Sequence, residues 1–174
     1  MNILEKFKPV KMIAMDVDGV LTDGKLWLLP SLDLVRNMNI KDGYALQLAV
    51  KKGYHVVVIS GALDSGAVEN RMKGLGIIDV NMGVMNKAKL LKSKMEKLSL
   101  NKEQVLFIGD DIPDYEVMKT VGLACCPQDA VSEITQIADY ISPFKGGEGC
   151  VRDVVEKVLK LNHHWELNSD ISSK

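Results

Sequence analysis

Residues 12–24 read Met12-Ile13-Ala14-Met15-Asp16-Val17-Asp18-Gly19-Val20-Leu21-Thr22-Asp23-Gly24, an apolar run that stops abruptly in acid, glycine and turn residues. A run of this kind predicts a buried parallel strand that delivers side chains to the edge of a sheet, where open α/β folds place their ligands. The two carboxylates, Asp16 and Asp18, are the candidate chemistry.

Outward from this strand (about 10–16), residues 24–40 carry two apolar arms, Leu26-Trp27-Leu28-Leu29 and Leu32, Leu34 and Val35, around Pro30-Ser31. Proline in the middle of the stretch argues for a β-hairpin over a helix. The hairpin is greasy for a surface excursion, and a second subunit is the expected cover. Asp42 is the expected cap of a helix carrying Tyr44, Ala45, Leu48 and Ala49 and ending at Gly53. A strand at 55–59 closes on Ser60-Gly61, a helix spans about 64–74, a short strand 77–82 and a lysine-rich helix 87–98. The strand 104–108 stops at Gly109-Asp110-Asp111, and Pro113 suits the first turn of the next helix. A strand 121–126, a helix from about 129, the pair Tyr140-Ile141 and a helix at 149–161 follow. Alternation of strand and helix predicts a doubly wound, mostly parallel, Rossmann-like sheet covered on both faces. One domain is expected over 1–161, with a polar tail at 162–174 that includes His163, His164 and Trp165.

The 174 residues are 47% apolar, enough to bury a core, and hold 22 basic against 23 acidic residues. The basic residues are scattered among acidic ones, so nucleic acid is excluded as the expected partner. The three cysteines, two of them adjacent, read as reduced, buried thiols. No stretch reaches the ~20 apolar residues that span a bilayer, and the first apolar run is shorter than the roughly 7 to 15 of a signal-peptide core. A cytoplasmic protein without membrane attachment is expected.

The strand ends gather Asp16, Asp18, Ser60, Gly61, Lys87, Asp110, Asp111 and Asp114 on one edge. So many carboxylates repel one another without a cation, and a hard divalent ion with oxygen ligands, Mg²⁺, relieves this. A lysine and a hydroxyl beside it complete a place for a phosphoryl group. A carboxylate there can attack phosphorus to form an aspartyl phosphate; Asp16, which ends the strand, is best placed, and Asp18 can serve as acid and then base. Asp-x-Asp-Gly alone could be a plain turn, and Asp111 with Pro113 a helix start. A calcium loop is excluded because its further acids and closing glutamate are missing.

Asp16-Val17-Asp18-Gly19-Val20, Ser60, Lys87 and Gly109-Asp110-Asp111-Ile112-Pro113-Asp114 resemble, in order, the four motifs of the haloacid dehalogenase superfamily. By that resemblance the metal is held by Asp16, the main-chain oxygen of Asp18 and Asp110, with Asp111 and Asp114 orienting metal waters or the lysine. Asp16 to Gly24, Lys41-Asp42-Gly43, Arg71 before Leu75-Gly76-Ile77, and Gly146-Gly147-Glu148-Gly149-Cys150-Val151-Arg152-Asp153 are similar to the 3-deoxy-D-manno-octulosonate 8-phosphate phosphatases. That family implies a small, cap-less homotetramer acting on a phosphorylated sugar acid, with a projecting hairpin and a neighbour's residues closing each site. Arg71 and Arg152 are candidate holders of the substrate's carboxylate or phosphate, or else surface ion pairs. Departures bear on the sugar: Ala62 stands where the family has arginine, an extra residue is expected around 63–65, and Asn86 replaces aspartate. A nonulosonate 9-phosphate is the alternative substrate.

Two readings of other classes stand beside this one. A phosphoryl-receiver domain shares the sheet and acidic pocket, but places its lysine last, whereas Lys87 precedes Asp110. A non-catalytic partner subunit is the other.

Overall fold

In the computed structural model, residues 2–30, 34–63 and 66–166 are described. The elements are β1 (Met12–Met15), β2 (Trp27–Leu28), β3 (Leu34–Val35), α1 (Ile40–Lys51), β4 (His55–Ile59), α2 (Ala67–Gly74) and β5 (Asp79–Asn81). They continue with α3 (Lys87–Lys97), β6 (Val105–Ile108), α4 (Tyr115–Met118), β7 (Leu123–Cys126), α5 (Ser132–Ile137), β8 (Tyr140–Ile141) and α6 (Cys150–Leu161).

Six strands form one sheet in the order β5-β4-β1-β6-β7-β8, every pairing parallel. The chain winds outward from β1 to β5 on one side and from β6 to β8 on the other, so β1 and β6 flank the point where the winding reverses. Ligand sites of open α/β sheets lie in the crevice at that point. This is the doubly wound Rossmann-like sheet that the alternating pattern predicts.

Side chains of β1 alternate between two cores. Ile13 and Met15 pack with α1, α2 and α6, whereas Met12 and Ala14 pack with Leu91, Val117, Met118 and Ile134 on the opposite face. All four are fully buried, as a strand covered on both sides requires. Helix α6 shows why a helix forms there: Val151, Val154, Val155, Val158 and Leu159 recur at helical spacing and are all buried. Each such side chain contributes roughly 1.5–3 kcal/mol by leaving water. The three cysteines are free and buried, as expected.

Several local expectations change. Asp42 does not cap α1: Asn39 does, its side chain accepting from the Lys41 N–H, and the helix starts at Ile40. Asp42 instead turns inward and accepts the Arg152 N–H at 2.7 Å, capping α6, whose own N-cap Gly149 has no side chain to offer. Helix α2 begins at Ala67 and α5 at Ser132, later than the pattern suggests. The hairpin's Ser31 and the extra residue around Asp64 and Ser65 lie outside the described residues. Past α6 the chain folds back as far as Glu166: the Tyr54 hydroxyl and His164 Nδ1 are 2.9 Å apart, and Lys52 pairs with Glu166. The rest of the expected tail lies outside the described residues.

Between the first acidic strand end and Ser60 the described chain holds only the hairpin, α1 and β4; between Ser60 and Lys87, only α2 and β5. No helix among the described residues is long and apolar enough to cross a membrane.

Candidate active site

Asp16 leaves the end of β1 with its N–H donated to Ile108 of β6, which fixes it between the two central strands. Its Oδ1 accepts the Val17 N–H at 2.7 Å, and its Oδ2 lies 2.8 Å from Lys87 Nζ. Lys87 is the first residue of α3, a position set by Asn86, whose side chain caps the helix through the Lys89 N–H. Lys87 Nζ also donates to Asp114 Oδ1 at 2.7 Å, and Asp114 Oδ2 accepts the Asp110 N–H at 3.0 Å. A continuous chain Asp16–Lys87–Asp114–Asp110 thus links β1, α3 and the turn after β6.

These groups are out of water. Lys87 is buried and Asp114 wholly so. Burial opposes the lysine's charge, yet the carboxylates of Asp114 and Asp16 raise its pKa above the ordinary value. Asp16 is pushed up to about 6 by burial and by the charge of Asp114, against the pull of Lys87. Asp110 goes further, to about 8, through burial and the charges of Asp114, Asp16 and Asp111. One lysine cannot neutralise three carboxylates.

A metal ion fits this deficit. Carboxylate oxygens of Asp16, Asp110 and Asp114 lie within 4.8 Å of one another. Asp110 Oδ1 is buried and finds no hydrogen-bond partner among the described residues. A buried acceptor of that kind costs free energy until something fills it. The donors are all hard oxygens, the set that Mg²⁺ takes. Gly19, at φ +81°, brings the Asp18–Gly19 backbone so close to Asp110 that a Cβ there would overlap the carboxylate. The backbone of the acidic turn thus lies directly against the Asp110 carboxylate.

Ser60 ends β4, the strand beside β1, and is buried with its Oγ accepting the Ala62 N–H at 3.1 Å. Gly61 beside it is open, with only the Val84 carbonyl near where a Cβ would stand. Asp111 is exposed and caps the short 3₁₀ turn at Ile112–Asp114.

The remaining candidates separate. Arg71, on α2, lines a groove of about 480 Å³ beneath the hairpin together with Leu29, Leu34, Val35 and Arg36. Arg152 is not brought to the acids: its guanidinium lies 5.7 Å from the Tyr44 ring and 5.2 Å from the Trp165 ring, and its Nε donates to Glu156.

Two residues here were not legible as site residues. Arg36, just past β3, forks onto Asp18, with Nε to Oδ1 at 2.8 Å and Nη2 to Oδ2 at 3.3 Å. Thr22, fully buried, offers its Oγ to the N–H groups of Gly19 and Gly24 and approaches Asp18 Oδ1 at 3.4 Å. In sequence, Arg36 stands at the end of an apolar hairpin pattern, and nothing at local spacing marks Asp18 as its partner.

Fold and site together define a phosphohydrolase on a doubly wound Rossmann-like sheet, with an acid-and-lysine pocket at its switch point. The chain belongs to the haloacid dehalogenase-like hydrolases, whose family model matches residues 61–152. Within that class it is similar to the 3-deoxy-D-manno-octulosonate 8-phosphate phosphatase KdsC of Salmonella typhi, 33% identical over 158 residues that cover 91% of this chain and 84% of that protein. The Yersinia pestis enzyme of the same name is 30% identical over 171 residues, 98% of this chain and 91% of its own length. Among solved structures, the Moraxella catarrhalis 3-deoxy-D-manno-octulosonate 8-phosphate phosphatase, in complex with magnesium, phosphate and KDO, superimposes with a TM-score of 0.88 at 32% identity, covering 92% of each chain.

Proposed function

We propose that the protein is a Mg²⁺-dependent phosphatase that hydrolyses a phosphorylated 3-deoxy sugar acid, 3-deoxy-D-manno-octulosonate 8-phosphate foremost, through a phosphoryl group carried on Asp16. The observation that carries this reading is the Asp16–Lys87–Asp114 chain beside the unpartnered Asp110 oxygen.

Asp16 is the nucleophile: its carboxylate oxygen bonds to phosphorus as the bond from phosphorus to the sugar oxygen breaks. Asp18 gives a proton to that departing oxygen, then takes one from the water that attacks phosphorus and releases Asp16. Lys87, the Ser60 hydroxyl and the N–H groups after Ser60 hold the phosphoryl oxygens, while Asp114 keeps Lys87 charged and aimed. Asp16, Asp110 and the Asp18 carbonyl would hold Mg²⁺, which would supply charge neutralisation for those oxygens. Asp111, at the rim, orients water near it. Arg71, in the groove beneath the hairpin, is the candidate partner of the sugar carboxylate. The exposed hairpin supports a homotetramer in which neighbours close each site, in a cytoplasmic protein.

The test is phosphate release from a panel of octulosonate, nonulosonate and ordinary sugar phosphates, with Mg²⁺ and with EDTA. The octulosonate phosphate is expected to have the highest kcat/KM, and EDTA to abolish release. Preference for a nonulosonate 9-phosphate would trace to Ala62. No release from any of them would return the protein to the non-catalytic reading.

A further inference from the structure

Asp18 serves both steps of the proposed reaction from a half-open turn, where, among the described residues of its own turn, only the Thr22 hydroxyl reaches its carboxylate, at 3.4 Å. The structure supplies the aim from the hairpin. The return limb of the hairpin is tied to the acidic turn through the antiparallel bridge between Thr22 and Met38. That tie sets Arg36, two residues earlier, against Asp18. The Arg36 side chain is only 9% exposed, whereas that of Asp18 is 32% exposed. The pair is therefore shielded on the arginine side and open on the carboxylate side.

The contact is a two-point fork, one N–H to each carboxylate oxygen, the arrangement by which guanidinium fixes the plane of a carboxylate as well as its position. A lysine could fix only a point. Thr22 Oγ approaches the same Oδ1 from the turn. A carboxylate has about four lone-pair sites, so these contacts leave capacity on the open side to accept a proton from water.

We propose that Arg36 is the positioning residue for the hydrolytic half-reaction, holding Asp18 as the base that takes a proton from the water attacking the phosphorylated Asp16. This rests on the phosphatase reading above. The step balances as follows: the water oxygen bonds to phosphorus, its proton passes to Asp18, and the bond from phosphorus to the Asp16 oxygen breaks, leaving inorganic phosphate. Assembly and chemistry are thereby joined, because the element that presents Trp27 and Leu28 to a neighbour also holds the base.

The test uses p-nitrophenyl phosphate, whose leaving group needs no proton, so that formation and loss of the phosphoryl-enzyme separate. Stopped-flow nitrophenolate release reads the first half, steady-state turnover the whole, and the mass of acid-quenched protein the fraction carrying phosphate. Arg36→Met is expected to leave the first half within about twofold, to slow turnover about 10- to 100-fold, the scale of a misplaced catalytic group, and to raise the phosphorylated fraction. Arg36→Lys should recover little, because it cannot fork. A thermal melt near that of the wild type checks that the variants fold. Equal losses in both halves, a rise in KM alone, or no change would each overturn the proposal. A wild-type protein that never carries phosphate would instead overturn the phosphatase reading on which it stands.

Discussion

Lys87 keeps its charge where burial opposes it because Asp16 and Asp114 sit 2.8 and 2.7 Å away. Burial and the charges of neighbouring carboxylates, against the pull of Lys87, hold Asp16 near 6 and Asp110 near 8. A carboxyl whose pKa is higher folded than unfolded binds more protons in the folded state, so the stability of the metal-free protein falls as pH rises from about 4 to about 8. Mg²⁺ requires those protons gone, so its stabilisation grows over the same window. Thermal melts at about pH 5 and about pH 8 should show the metal-free Tm dropping with pH, Mg²⁺ restoring more of it at the higher value, and Asp110→Asn flattening both trends. A Mg²⁺ shift as large in Asp110→Asn as in the wild type would contradict the assignment of Asp110. The strand-end acids and Lys87 were legible because each stands where an apolar run gives way, a signal local to the chain. Arg36 was not, since its partner is 18 residues away and only the return limb of the hairpin brings them together. For Arg152 the sequence leaves a ligand holder and a surface ion pair both open, because no local signal reveals that Tyr44 and Trp165 pack on its guanidinium while Glu156 pairs with it.

At the scale of elements, the site depends on a loop that never touches the chemistry. Gly147 N–H donates to the Val20 carbonyl, clamping the loop before α6 onto the turn after Asp18, and Gly146 N–H donates to Asp129 in the loop after β7. A Cβ on Gly146 would overlap the Gly19 carbonyl oxygen, a backbone atom with no freedom to move aside. Gly146→Ala should therefore push the loop off the turn, lowering kcat/KM at least about tenfold and destabilising the fold by about 1–3 kcal/mol, the range of overpacking. Gly74→Ala, at the end of α2 with open space where its Cβ would go, should cost neither. Equal effects of the two variants would show that the clamp is not what matters. The order of strands and helices followed from periodicity, whereas the cap of α6 did not: its donor groups are satisfied by Asp42, a residue of another helix.

For the whole molecule, the hairpin is the feature a lone chain leaves unexplained. Trp27 is 70% and Leu28 77% exposed, with Leu29, Leu34 and Val35 exposed beside them, a patch of the kind that marks an interaction surface. If the proposed tetramer forms through this patch, Trp27→Ser with Leu28→Ser should shift the mass by light scattering at micromolar concentration toward smaller species, and activity should fall with it. A wild-type monomer at that concentration would refute the tetramer. The central claim, phosphoryl transfer to Asp16, is tested most directly by phosphate release from 3-deoxy-D-manno-octulosonate 8-phosphate with Mg²⁺ in the wild type and in Asp16→Asn, alongside their melts. The account predicts a loss of at least about 10³-fold, the scale on which removal of a covalent nucleophile acts, with the cooperative melt intact. Substantial turnover by Asp16→Asn would contradict it.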